Sequence, residues 1–286
     1  MVQTIGNPLS WGAALLGRAG SGLGANAQGL GSDGLVTPVV RRIGIPDIRA
    51  ALAQGLDDFA ALRTDVAAMC LLYPIVGAVL VWFALNQSLT MLVFPLVSGF
   101  ALIGPVVAIG LYEMSKRRDA GKEVSWGDAF GVLANPSFGA ILVLGLMLVG
   151  LFFFWLIAAW GIGRATMGDV THLTAVEFLR ATLTTGAGWA MILIGVPVGF
   201  VFAVAALAVS VVSFPMLIDR PVGLPVAVVT SVRVARENPV TVALWGLVVA
   251  VLLVAGSVPL LLGLAVVLPV LGHATWALYR RAVSFG

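Results

Sequence analysis

Polar residues fall along this chain in short clusters, separated by long stretches that hold almost none. Runs free of Asp, Glu, Lys, Arg, His, Asn and Gln cover Val66–Leu85, Ser88–Tyr112, Pro136–Gly163 and Ala181–Ile218. A further run, Pro239–Gly272, continues through His273 to Tyr279. A helix rises 1.5 Å per residue and needs about 20 apolar residues to cross roughly 30 Å of hydrocarbon. Each of the first three runs predicts one span. The fourth predicts one long span approached along a piece of surface, with Trp189 as an interfacial anchor. The last is too long for one helix, and Gly256-Ser257-Val258-Pro259 at its middle carries turn chemistry, so it predicts two. The fold class is an all-α membrane protein with six transmembrane helices arranged as three hairpins.

Composition agrees. Of 286 residues, 60% are hydrophobic and 10% charged, where soluble domains carry about 25% charge. Fourteen of the sixteen Lys and Arg residues lie in segments that are cytoplasmic if both termini are inside. Only Arg164 and Arg180 fall outside, a strong positive-inside bias. The net charge of +3 is spread over separate loops, so nucleic acid is not a partner. Residues 1–40 read as a flexible cytoplasmic tail with no cleavable signal, because the AALLG patch at 13–17 is too short for one. An amphipathic contact around Trp11–Leu16 is a minor variant of that reading. Residues 41–286 then form a single six-span domain of three hairpin units, 41–118, 119–220 and 221–286.

Each unit opens with a short cytoplasmic amphipathic segment, expected to lie in the membrane plane. Ile48, Leu52, Leu56, Phe59 and Leu62 form the first apolar line. Trp126, Phe130 and Leu133 form the second, behind a Ser125/Asp128 pair at capping-box spacing. Val228, Val232 and Ala235 form the third, after Pro225 as a helix opener. The steps Asn135-Pro136 and Asn238-Pro239 break surface helix from span, because proline disfavours helix in the preceding residue. Pro105 precedes Lys116 by the same interval as Pro269 precedes Arg280. These echoes predict an internal repeat of three parallel units. The outer loop has its own surface-helix candidate, Thr174–Leu183, with Thr174 and Glu177 at capping-box spacing.

VRRIGIPDIRAALAQGLDDFAAL, FPLVSGFALIGPVVAIGLYEMSKRR, VSFPMLIDRPVGLPVAVVTSV and VVLPVLGHATWALYRR together resemble a bacterial six-span inner-membrane family, domain of unknown function 2189. The resemblance covers about residues 40–282 and the order of all six spans. It implies a location in the bacterial inner membrane and no particular activity. Such sequences are sometimes labelled cytochrome c oxidase subunit I, which the residues refuse. An oxidase core needs several intramembrane histidines, and His172 and His273, the only two, fall on opposite sides of the bilayer. A lone Cys70 excludes disulfides and CxxC sites. No cofactor and no metal are expected.

His273 is the one Asp, Glu, Lys, Arg or His well inside a span, and so the candidate intramembrane polar site. A structural hydrogen bond outweighs proton transfer as its role. Tyr73, at similar depth, is the first partner and Tyr112 the second. Glu113, Lys116, Arg117, Arg118, Asp219 and Arg220 make the candidate inner-face surface, with Asp128 and Glu237 nearby. Charges flanking spans are far more often solvated ends than acid–base pairs. No Ser-His-Asp set, Walker loop or HExxH motif is legible, so no catalytic residue is assigned. Gly195 and Gly199 give a weak GxxxG around Pro197, and the span prolines read as packing kinks. The leading function is non-catalytic: binding membrane lipid or another membrane protein complex. The alternative is a facilitator or flippase for a hydrophobic or lipid-like molecule between the hairpins. An enzyme on a lipid substrate comes third.

Overall fold

Two Asn-Pro steps, a Gly-rich turn and several prolines cut the apolar runs into helices. The computed structural model describes residues 37–70, 72–86, 89–259 and 261–285, without the side chains of 62–70, 72–74, 100, 101, 107 and 126. The expected tail, but for its last residues, lies outside the described residues, as does the Trp11–Leu16 contact. In order come β1 (Pro38–Val40), α1 (Ile45–Cys70), α2 (Leu72–Asn86), a 3-10 turn (Thr90–Leu92), α3 (Val93–Val107) and α4 (Ile109–Asp119). A 3-10 helix (Trp126–Ala134) precedes α5 (Phe138–Met167), α6 (Ala175–Thr184), α7 (Gly186–Ser210) and α8 (Ser213–Asp219). Then follow α9 (Leu224–Glu237), α10 (Pro239–Ser257), α11 (Leu264–Ala282) and β2 (Val283–Phe285).

The chain is an all-α membrane protein. Three helical segments, Phe138–Met167, Gly186–Asp219 and Pro239–Ser257, are long and apolar enough to cross a bilayer. Shorter apolar helices span Ile75–Asn86 and Thr90–Gly99. Their outer faces are large and apolar: Phe154 on α5, Leu193 and Phe200 on α7, and Val254 on α10 are each about two-thirds exposed. The last apolar run divides as its turn chemistry predicts. Gly256 and Gly263 close that turn, where a Cβ on Gly263 would lie 2.7 Å from the Gly256 carbonyl oxygen.

The asparagines do more than break helices. Asn238 Oδ1 accepts the Ile43 N–H at 2.8 Å, while Nδ2 donates to the carbonyls of Arg41 and Val234. Asn135 Nδ2 donates to the Ile218 carbonyl at 3.0 Å, tying its break to the end of α8. Both capping boxes form, Ser125 with Asp128 and Thr174 with Glu177.

Three features depart from the sequence reading. A small sheet pairs β1 with β2 antiparallel, Pro38 opposite Phe285 and Val40 opposite Val283, and so ties part of the expected tail to the end of α11. Second, α1 runs antiparallel along α11, from Arg41 bonded to the Ala282 carbonyl to Gly55 wedged against Val270 and Ala274. Third, the buried faces of the amphipathic segments are rotated from their apolar lines. In α1 they are Ile48, Ala51, Gly55 and Asp58, while Leu56 is exposed. In α9 they are Ala227, Thr230, Ser231 and Val234. In the 3-10 helix Ala129 and Val132 are buried, and Phe130 and Leu133 face outward. Small residues permit close helix approach, while large apolar ones can be left to lipid. α8 is internal, with Phe214, Met216, Leu217 and Ile218 buried at the end of the bundle where Lys116 and Asn135 bond the Ile218 carbonyl.

Candidate functional site

Pro105 stands inside α3, and the helix gives way at Ala108 before resuming as α4. This offset, together with small residues on α7 and α10, leaves a cavity of about 400 Å³. Its walls come from α3 and α4 (Leu102 to Tyr112), α7 (Phe200 to Ser210), α10 (Ala243 to Leu253) and α11 (Leu268 to Thr275). The volume falls within the range of ligand pockets, about 300–1,000 Å³. Leu111, Tyr112, Ala206 and Trp245 make its buried floor, while Phe200, Val204 and Leu247 at its rim are exposed. The cavity thus opens sideways, between α7 and α10. Below that mouth the two helices touch, a Cβ on Gly246 lying 2.7 Å from Leu207 Cδ2. No lining residue carries a formal charge.

A second polar feature joins α1, α4 and α11. His273 is fully buried, with Nδ1 2.6 Å from Ser115 Oγ. Ser115 Oγ donates to Asp58 Oδ2 at 3.4 Å, and Arg118 Nη1 meets Asp58 Oδ1 at 2.9 Å. With its hydroxyl proton on Asp58, Ser115 accepts Nδ1–H from His273, which assigns the tautomer. Nε2 has no partner among the described residues. Burial raises the Asp58 carboxyl from 3.8 to about 6, against the lowering pull of Arg118.

An Asp, a Ser and a His therefore do meet, from three helices, although no local motif announces them. They are not a hydrolytic triad. That mechanism needs the serine on one ring nitrogen and the carboxylate on the other, whereas Ser115 and Asp58 both lie on the Nδ1 side. Ser115 is also fully buried, with no room for a substrate. Tyr112 is buried beside Thr275, and the partner of His273 is Ser115 instead. The side chain of Tyr73 lies outside the described residues.

The other residues of the expected inner-face surface are tied to one another or to the backbone. Arg117 bridges Glu113, at 2.9 Å, and Asp128. The backbone N–H of Ser125, then its hydroxyl, holds Asp128 below the usual carboxylate range. Lys116 donates to the Ile218 carbonyl at 2.6 Å. Asp219 accepts from Tyr279 at 2.8 Å and from Arg280 at 3.2 Å, and Arg220 sits 5.5 Å over the Phe285 ring. Each of these groups fastens a helix end, and none points a charge into the cavity. Of the GxxxG pair, Gly199 receives the Trp155 ring and Gly195 has open space.

Residues 92–219 match the model of the family described as Predicted integral membrane protein (DUF2189). This is the middle of the range over which the sequence shows its resemblance, from the 3-10 turn through α8. No curated protein and no solved structure matches the chain.

Proposed function

We propose that the chain is a six-span protein of the bacterial inner membrane, with both termini cytoplasmic, that holds a hydrophobic, lipid-like molecule without catalysing its conversion. The observation that carries this reading is the cavity between α3, α4, α7, α10 and α11. It is apolar, uncharged and open to the side on which the large exposed residues of α7 and α10 would meet acyl chains. A bilayer molecule can enter such a space without crossing water. Buried Leu111, Tyr112, Ser210 and Val211 close one end of the cavity, which favours holding the molecule over passing it through. The pairing of β1 with β2 supports an even number of crossings, since it brings residues 38 and 285 together. The distribution of Lys and Arg supports the inside orientation.

The reading is tested by native mass spectrometry of the protein released from its membrane in mild detergent. The parent is expected to carry one lipid-like adduct. Replacing Ala203 and Ala250, both on the cavity wall, with Trp should remove it while the protein stays folded. An adduct retained at parental occupancy by that folded variant overturns the reading.

A further inference from the structure

The cavity has one polar end, and two of the three hydroxyl hydrogens there are already committed. Ser210 Oγ donates to the Ala206 carbonyl at 2.6 Å. Thr275 Oγ1 donates to the Leu271 carbonyl at 2.7 Å. A hydroxyl has a single proton, so Ser210 and Thr275 have none left for a bound molecule, while Tyr112 stands beside Thr275. All three residues line the cavity. The Ser210 and Thr275 oxygens therefore retain lone pairs and have no hydrogen to offer. The side-chain N–H in the lining is that of Trp245, a neutral indole. An anionic headgroup entering this site would lose its water and find no cation, at a cost that the neutral donors Trp245 and Tyr112 do not offset. A hydroxyl is suited to it: its O–H can donate to an oxygen at the floor while its chain fills the apolar wall.

We infer that the cavity selects a neutral, hydroxyl-bearing lipid-like molecule, such as a long-chain alcohol or another lipid alcohol, over fatty acids and charged phospholipid headgroups. This rests on the proposed lipid-holding function and narrows its ligand class.

The test uses three brominated probes of equal chain length: bromododecanol, ionised bromododecanoate and bromododecane. Bromine quenches nearby indole fluorescence. The signal of interest is the part of the quenching lost in Trp245→Phe, measured on the full chain in dodecyl maltoside. The alcohol is expected to bind roughly two- to tenfold more tightly than the alkane, the worth of one hydrogen bond, and more tightly still than the carboxylate. A variant carrying Tyr112→Phe, Ser210→Ala and Thr275→Val should bind alcohol and alkane alike. Ser210→Ala alone, the mildest change, should reduce the preference. Carboxylate binding as tight as alcohol overturns the inference, as does an alcohol preference that survives the triple variant. If no probe produces Trp245-dependent quenching, the lipid-holding reading itself fails, which separates the two conclusions.

Discussion

Gly55→Ala adds one methyl group where α1 meets α11. Its Cβ would lie 2.6 Å from the Val270 carbonyl oxygen and 2.8 Å from both the Cβ and the backbone N of Ala274. Two of these are backbone atoms, so no rotamer change relieves the contact. Carbon atoms pack at about 3.5–4.0 Å, and the two helices must part by a large fraction of an ångström. Overpacking of this kind costs about 1–3 kcal/mol. Replacing a helical glycine with alanine returns about 0.5–1 kcal/mol. The net expected loss is about 1–2 kcal/mol, a fall of roughly 2–8 °C in Tm for a chain of this size. Intrinsic-fluorescence melts in one detergent measure it. Gly150→Ala on α5 is the control, because nothing lies within 4 Å of its added Cβ. It gains the same helix propensity without a clash and should melt at or slightly above the parent. If Gly55→Ala melts with Gly150→Ala, α1 does not pack on α11 as described.

Other consequences follow from the polar cluster and the topology. His273 bonds through Nδ1, which an Asn amide can imitate and a Gln amide reaches past, so His273→Asn should melt above His273→Gln, with His273→Leu lowest; equal Asn and Gln values would contradict the geometry. Asp58 binds its proton more tightly when folded, since burial raises it from 3.8 to about 6. Its contribution to stability is complete below the lower value and is lost as pH rises through the upper one, at most about 3 kcal/mol. Melts across that window should slope downward with pH for the parent, and Asp58→Asn should remove the slope. An externally active reporter should signal when fused after Gln87, Met167 or Ser257 and stay silent after Ala120 or Gly286; the reverse pattern would overturn the orientation.

Much of the fold was legible because its signals are local. Asn-Pro steps, capping pairs and the turn after Gly256 each depend on neighbours a few residues away. The faces that pack within the protein do not stand out in the amphipathic segments, for a physical reason. In water the largest apolar side chains mark the buried face. Beside a bilayer they can remain outside, and small residues take the helix contacts. The line Ile48, Ala51, Gly55 and Asp58, spaced by three, four and three, was present but carried less hydrophobic weight than Leu52, Leu56 and Phe59. Ser115 and Asp58 escaped notice as partners of His273 because depth counted from a span boundary cannot pair residues 158 and 215 positions apart. The β1–β2 pairing involves strands of three residues, too short for a periodic pattern. The cavity is a property of how four walls meet, and no residue type encodes it alone.

The central claim is that the space between α3, α4, α7, α10 and α11 is occupied by a molecule from the bilayer. A density map of the protein in lipid nanodiscs tests it most directly. The account predicts elongated density entering between Phe200 and Leu247 and ending beside Tyr112, Ser210 and Thr275. A cavity closed by inward movement of α7 and α10, with Trp245 packed against α7 and no density between them, would contradict it.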